Sequence, residues 1–330
     1  MPCLVITGYI ADGYFNFLTP VCCFVLVPLV DWLSFPKPSE SKEITRDKSN
    51  TAYRWIPLLY VPVVLTLSIC GSFIVATEDL SIVEVVGLVL SVGIVSGAIG
   101  FTLAHEFIHK FTFPERVSGY LLLANTNYLH YSIEHIYGHH VYACTEADPN
   151  SARKGESFYH FFPRSVAGTF LNAWTIECKR LFKKRHRVFS LHNRMILFLL
   201  IQLSIIMVVA LAGGIMPVIF FLAQGFVAVV MLHQINYLQH YGLTRKFKRE
   251  GVPERIDAHH SWGTLRPLMF DLFQLENHAD HHLHPTHSYE KLIVHGESPT
   301  LPGNYASMMA ALLVPPLWFK ITHKRLSLLK

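Results

Sequence analysis

Five stretches of this 330-residue chain are apolar for about the length that crosses a bilayer, and that feature leaves few folds open. They run Tyr14–Leu33, Trp55–Ala76, Ile82–Leu103, Met195–Gly213 and Ile215–Ile235. Their apolar residues are gathered into blocks rather than spread at helical or strand period. Only 15% of the residues are charged and 51% are hydrophobic, whereas a soluble domain carries about a quarter charged residues. A sixth, shorter run, Val117–Tyr131, contains Asn125, Asn127 and His130 and reads as an interfacial or partly buried helix. The expected fold is all-α: a polytopic membrane bundle of about five to six spans with a cytoplasmic helical cap. The cap is formed by residues 104–194 and 236–330, and residues 1–330 make one membrane-embedded domain. Asp31, near the end of the first run, is costly in lipid unless it faces protein or snorkels.

Charge sets the expected orientation, because basic residues near span ends stay in the cytoplasm. The stretch before the second run holds Lys37, Lys42, Arg46, Lys48 and Arg54, while the turn at Thr77–Ser81 is acidic and the turn at Gly213–Gly214 is uncharged. Lys110, Arg116, Arg153, Lys154, Arg164 and the cluster Lys179–Arg187 place the long segment between the third and fourth runs on the cytoplasmic side. Five spans then put the N-terminus outside or in a lumen. The net charge of +5 follows from this asymmetry and from anionic headgroups, with no call for nucleic acid. Lys179–Arg187 itself reads as a lipid-facing patch rather than a protein docking site.

The six cysteines, Cys3, Cys22, Cys23, Cys70, Cys144 and Cys178, contain no C-x-x-C pair. A fused rubredoxin, a zinc ribbon and a disulfide framework are therefore not expected, and most of these cysteines read as packing residues. Residues 1–13 are too short for a signal peptide with its cleavage site, so the first span reads as a retained anchor.

Histidines carry the chemistry. His105 and His109, in His105–Glu106–Phe107–Ile108–His109, lie about 40° apart on one helix face, close enough to share a metal. Alone, this string fits H-E-x-x-H, in which Glu106 would be the general base of a zinc protease. The other histidines argue against stopping there. His135 and His139 repeat the same spacing within Glu134–His140, and on a regular helix His140 would point about 140° away from His135. It serves a second metal, or it lies where Gly138 lets the helix loosen. His278, His281 and His282 again share a face, and His240 follows the last run.

These nine imidazoles, out of twenty histidines in the chain, gather at the expected cytoplasmic ends of the runs. One zinc takes four ligands, so two metals are implied. Imidazole suits zinc, copper, iron and nickel alike. The membrane setting narrows the choice to a pair of irons activating O2 beside an apolar channel. Candidate acceptors for the far ring N–H groups are Glu106, Glu134, Asp148 and Asp280. Binding needs neutral imidazoles, so activity is expected to fall below about pH 6.5. The remaining histidines read as structural or solvated, with His284 the exception because it follows the third group.

The residues resemble those of the membrane alkane 1-monooxygenases, within the wider superfamily of histidine-box diiron hydroxylases and desaturases. His105–Lys110 is similar to the first box of that family. Glu134–His140, followed by Val141, Thr145, Asp148, Pro149 and Gly155–Glu156, is similar to the second and its extension. Asn236–Tyr237 with His240–Tyr241–Gly242 resembles the signature that separates alkane hydroxylases from desaturases. Leu275, His278, Asp280, His281, His282, His284, Pro285, Tyr289 and Leu292 follow the third box. The tail, Leu301–Pro302, Gly303, Tyr305 and Pro315–Trp318, is also similar, so the likeness runs from about Phe17 to Leu326. Three positions depart from the pattern: Glu276 and Asn277 stand in place of Gln and Arg, and Gln239 in place of Glu. The family usually has one more span at the N-terminus.

This resemblance implies a non-haem diiron monooxygenase that inserts one oxygen atom from O2 into a terminal C–H bond of an alkane, or a similar hydrophobic chain, to give a primary alcohol. Its electrons would come from a rubredoxin- or ferredoxin-type protein and an NAD(P)H-dependent reductase. The alternatives are a fatty-acyl desaturase or hydroxylase with the same cage, an intramembrane zinc metalloprotease built on His105, Glu106 and His109, and a non-catalytic metal carrier. The protease reading leaves seven clustered histidines without a role.

Overall fold

A computed structural model describes residues 1–34, 52–264 and 273–329. The basic residues Lys37, Lys42, Arg46 and Lys48 and the side chain of Asp31 lie outside the described residues. The described part is mostly helical, with turns, loops and four strands of two or three residues between the helices, so the expected all-α polytopic architecture holds. Five helices among these residues are long and apolar enough to cross a membrane: Gly13–Val30, Tyr53–Thr77, Ile82–Ile108, Arg194–Gly213 and Ile215–His240.

Two of these helices run past the apolar stretches that announce them. The third continues from Leu103 to Ile108 and the fifth from Ile235 to His240, so each keeps its hydrogen-bond ladder after hydrophobicity ends. The extensions carry His105 and His240. Gly13–Val30 is irregular, with a 3-10 stretch at Gly13–Phe17 and a π turn at Cys22–Leu26. The sixth run is indeed a partly buried helix, Phe113–Asn125, but it starts earlier and stops sooner than its apolar residues. Pro114 favours the early start, since its missing N–H costs nothing in a first turn.

The chain divides into two compact units. The first comprises Met1–Cys22, Thr51–Glu134 and Phe170–Leu232. Its Ile82–Ile108 helix begins with a capping box: Ser81 Oγ accepts from the Glu84 amide at 3.3 Å, and Glu84 accepts from the Ser81 amide at 2.8 Å. Farther along, Gly93 and Gly97 allow the close approach of Val227 and Met231, which a Cβ would meet at 2.6 and 2.8 Å. Small residues at a crossing are how helices pack where lipid supplies no hydrophobic drive. At the same level Ser96, Asn125 and Gln224 form a buried polar network. Ser96 Oγ donates to Gln224 Oε1 at 2.8 Å, and Gln224 Nε2 donates to the Asn125 carbonyl at 2.8 Å. A π turn, Ser96–Phe101, follows directly and resets the face that the rest of the helix presents.

At the other end of this unit, Glu177 joins the Phe158–Lys183 helix to the start of the Arg194–Gly213 span. Its carboxylate accepts from Arg180 at 2.6 and 2.8 Å and from the Arg194 backbone and guanidinium at 2.8–2.9 Å. Burial alone would raise this carboxyl, but the two arginines hold it at about 2. Losing them would leave a buried charge uncompensated. Arg54, at the start of the second span, is ion-paired to Glu115 at 3.5 Å.

The second unit comprises Cys23–Asn50, His135–Thr169 and His233–Lys330. An aromatic core of Phe158, Phe161, Tyr237, Tyr241 and Trp318 fixes the end of the Ile215–His240 helix against the C-terminal helix Pro315–Leu326. The loop after residue 148 is clamped by Arg164, which donates to Glu156 and to the carbonyls of Pro149 and Ser151. Tyr237 donates to the Glu156 carbonyl at 2.6 Å, and Tyr241 accepts from the Gly155 amide at 2.9 Å. Gly155 and Gly242 both have positive φ, and a Cβ on Gly242 would meet Leu326 at 2.7 Å. The short helix His278–Leu283 completes the part of this unit that bears the site.

Candidate metal centre

His105 lies in the last turn of the Ile82–Ile108 helix and His109 is its C-cap, with ring centroids 5.5 Å apart. Both are half-buried. Glu106 between them is buried and receives Lys110 Nζ at 2.7 Å. Glu134, fully buried in the same unit, accepts from Asn172 Nδ2 at 3.1 Å.

In the second unit the second histidine group is wound as a π turn over His135–His139, the loosening that Gly138 suggests. One extra residue per turn changes which histidines meet. The wider turn brings positions five apart from about 140° on a regular helix to about 50°. His140 Nε2 accordingly lies 3.0 Å from His135 Nε2, and His281 Nε2 lies 3.0 Å from His140 Nε2. Three imidazoles thus turn the same nitrogen toward one point. His139 is released to the other side, where its ring centroid lies 4.8 Å from that of His240 and 5.0 Å from that of His282. His139, His240, His278 and His282 form a second convergent group, and all four are buried. The spacing rule of four therefore misassigns the pair His135 and His139, which separate into different groups. The helix His278–Leu283 likewise splits its histidines, with His278 and His282 in one group and His281 in the other.

The four-histidine group has its outward nitrogens anchored. His139 Nδ1 donates to Asp148 Oδ2 at 2.9 Å, and His240 Nδ1 donates to the His260 carbonyl at 3.1 Å. Asp148 is itself held: Ser151 Oγ donates to Oδ2 at 2.6 Å and the Asn150 amide to Oδ1 at 3.0 Å. Burial would raise the Asp148 carboxyl, but His139 and Ser151 outweigh it and hold the group below its usual range. The inward atoms His139 Nε2 and His240 Nε2 are buried with no hydrogen-bond partner, and His282 Nε2 lies 3.0 Å from His278 Nε2. A buried ring nitrogen left unpaired is costly. Two of them beside one cluster, each opposite an anchored N–H, fit a metal-ligand set in which the far nitrogen fixes tautomer and orientation. Burial, reinforced by His278 and His140, also pulls His282 well below its usual pKa, so its imidazole is neutral as a ligand must be.

Of the four carboxylates singled out in the sequence, Asp148 is on a histidine of the cluster. Asp280 instead accepts from His284 Nδ1 at 3.1 Å, from His295 Nε2 at 2.7 Å and from the Ile293 amide at 3.2 Å. Sequence reading misses the His260 carbonyl and Cys144. The buried Cys144 thiol donates to that same carbonyl at 3.0 Å and lies 3.4 Å from His240 Nδ1. Burial pushes the thiol pKa up, so it remains S–H and can donate. Nothing in the spacing around Cys144 signals this. The departure at Gln239 also has a place, since its amide donates to the Leu275 carbonyl just ahead of the third histidine group, at 3.3 Å.

The chain matches the fatty acid desaturase family over residues 81–311. It is 37% identical to alkane 1-monooxygenase 1 of Pseudomonas aeruginosa, over 93% of this chain and 81% of that relative. It is 35% identical to alkane 1-monooxygenase 2 of Alcanivorax borkumensis, over 92% and 80% of the two chains. The xylene/toluene monooxygenase hydroxylase component of Pseudomonas putida is 26% identical over 96% and 84%. With this identity over nearly its whole length, and with clustered imidazoles suited to non-haem iron, the chain belongs to the alkane 1-monooxygenase family of integral-membrane oxidoreductases.

Proposed function

We propose that the nine imidazoles hold two irons in a single catalytic domain. His139, His240, His278 and His282 take one ion. His135, His140 and His281 are ligands of the other. The observation that carries this reading is the set of buried ring nitrogens opposite the anchored N–H groups of His139 and His240. Bound iron supplies O2 activation, and the balance is one alkane C–H, one O2, two electrons and two protons giving one primary alcohol and one water. The chain's own residues do the rest. Asp148 and the His260 carbonyl keep two imidazoles in the tautomer that presents Nε2 inward. Lys110 holds Glu106 beside the first histidine pair, where it orients ligands rather than activating a water. Buried apolar residues before His105, among them Val95, Ile99 and Leu103, exclude water and form one wall of the path for a hydrophobic chain.

The substrate we propose is an alkane or a similar unbranched chain, in keeping with the names of the relatives. Electrons would arrive from a rubredoxin- or ferredoxin-type protein at a metal site on the cytoplasmic side, the side favoured by the basic residues around it. The test uses iron-loaded membranes with a reductase, its electron carrier and 18O2, offered octane, hexadecane, a terminal alkene, xylene and a fatty acid in turn. Labelled primary alcohol from an alkane is the expected product. A double bond in the fatty acid, with no alcohol from any alkane, would move the reading to a desaturase. Oxygenation of none of them, with about two irons per chain present, would overturn it.

A further inference from the structure

We propose that Asp280, His284 and His287 form a third metal site, distinct from the nine histidines and open to solvent, which takes one divalent ion of the zinc class. Each residue offers a ligand atom, and these atoms lie within 4.8 Å of one another. The Asp280 carboxylate is buried and fixed by His284, His295 and the Ile293 amide. Both other members of the set are exposed.

The local fold explains why they meet. The helix ends at Leu283, and the His284 amide still donates to the Asp280 carbonyl at 2.8 Å. Pro285 cannot continue the ladder. The chain then turns, and the His287 amide donates back to the His284 carbonyl at 2.9 Å. This lays the two imidazoles parallel, 4.6 Å between centroids and 8° between planes, beside the carboxylate. Two imidazoles and a carboxylate, with water in the fourth position, are a tetrahedral zinc set with bonds of about 2.0–2.2 Å. His295 also pins Asp280, so the purely structural role of His284 is shared, and the measured effect of His287 on zinc binding separates the two readings.

The experiment titrates Zn2+ alone into the iron-loaded protein in lipid nanodiscs and measures bound zinc and retained iron in the same samples. One zinc per chain should bind with no loss of iron. His287→Gln should weaken it by at least the roughly 10–100-fold that loss of a supporting partner costs a metal site. His284→Gln should weaken it similarly, and His259→Gln, at another exposed imidazole, should leave it unchanged. Zinc uptake matched mole for mole by iron release would overturn the proposal, as would equal affinity in the wild type and in His287→Gln. Because iron is counted separately, failure here is distinguishable from failure of the diiron reading.

Discussion

The two histidine groups of the second unit share two short helical segments yet are finished differently. His139, His240, His278 and His282 are all buried, and two of them hand their outer nitrogens to fixed acceptors, a carboxylate and a backbone carbonyl. Both groups bring imidazole nitrogens within 3.0 Å of each other, but in the other group His140 is half-buried. Interleaving on the π turn and on His278–Leu283 means that each segment contributes histidines to both groups. A shift of either segment would move histidines of both groups at once, which suits the pair of irons proposed above. The difference in finish predicts a difference in hold: the anchored, buried group should keep its ion longer.

The sharpest way to break this comparison is to remove one ligand from each side. His139→Gln should cost the anchored ion and His140→Gln the other, each variant retaining about one iron per chain by elemental analysis. If both variants lost all iron, the groups would act as one site and the comparison would fail. Next in size is Asp148→Asn, which keeps the shape of the anchor and removes its charge. Outer partners of this kind are worth about 10–100-fold in metal affinity, so chelator competition should show that loss in the anchored ion alone. Equal weakening of both ions would assign Asp148 a general structural role instead.

Acid sharpens the comparison further. Asp148 has a folded pKa below its ordinary value, so its contribution is present above about pH 3.8 and is lost only as pH falls toward the lower folded value. His282, depressed well below 6.5, resists protonation, so protons compete for that ligand only beneath the usual histidine range. Iron release followed by stopped pH jumps should therefore be biphasic, with the anchored ion leaving at the lower pH. In Asp148→Asn the two phases should draw together, and a single phase in the wild type would contradict the ranking.

Much of this was legible in the sequence because hydrophobicity and histidine spacing are both local signals. Five apolar runs gave five membrane-length helices, and all seven histidines picked out beyond His105 and His109 fell into convergent groups. The partition between groups was not legible. It depends on a π turn at His135–His139, and no periodicity rule announces a turn that adds one residue to the ladder. Span ends were also hidden, since the helices carrying His105 and His240 continue beyond their apolar stretches on hydrogen bonding and packing alone. Asp148 could be proposed from its place after the second group. The His260 carbonyl could not, because a backbone acceptor brought in from 20 residues beyond His240 leaves no mark in residue type.

Cys144 gives the smallest effect and the finest test of the anchored group. Its thiol and the His240 N–H share one acceptor, the His260 carbonyl, so the thiol helps to hold that carbonyl where His240 needs it. Cys144→Ala removes one weak, buried hydrogen bond, on the order of 1 kcal/mol, or about fivefold in affinity for the anchored ion. Cys144→Ser keeps a donor and should recover most of the loss. An effect confined to the anchored ion, absent in the other and rescued by serine, would place the thiol in the support of His240. Equal effects from alanine and serine would instead show that Cys144 only fills space, and the hold on His240 would then rest on the His260 carbonyl alone.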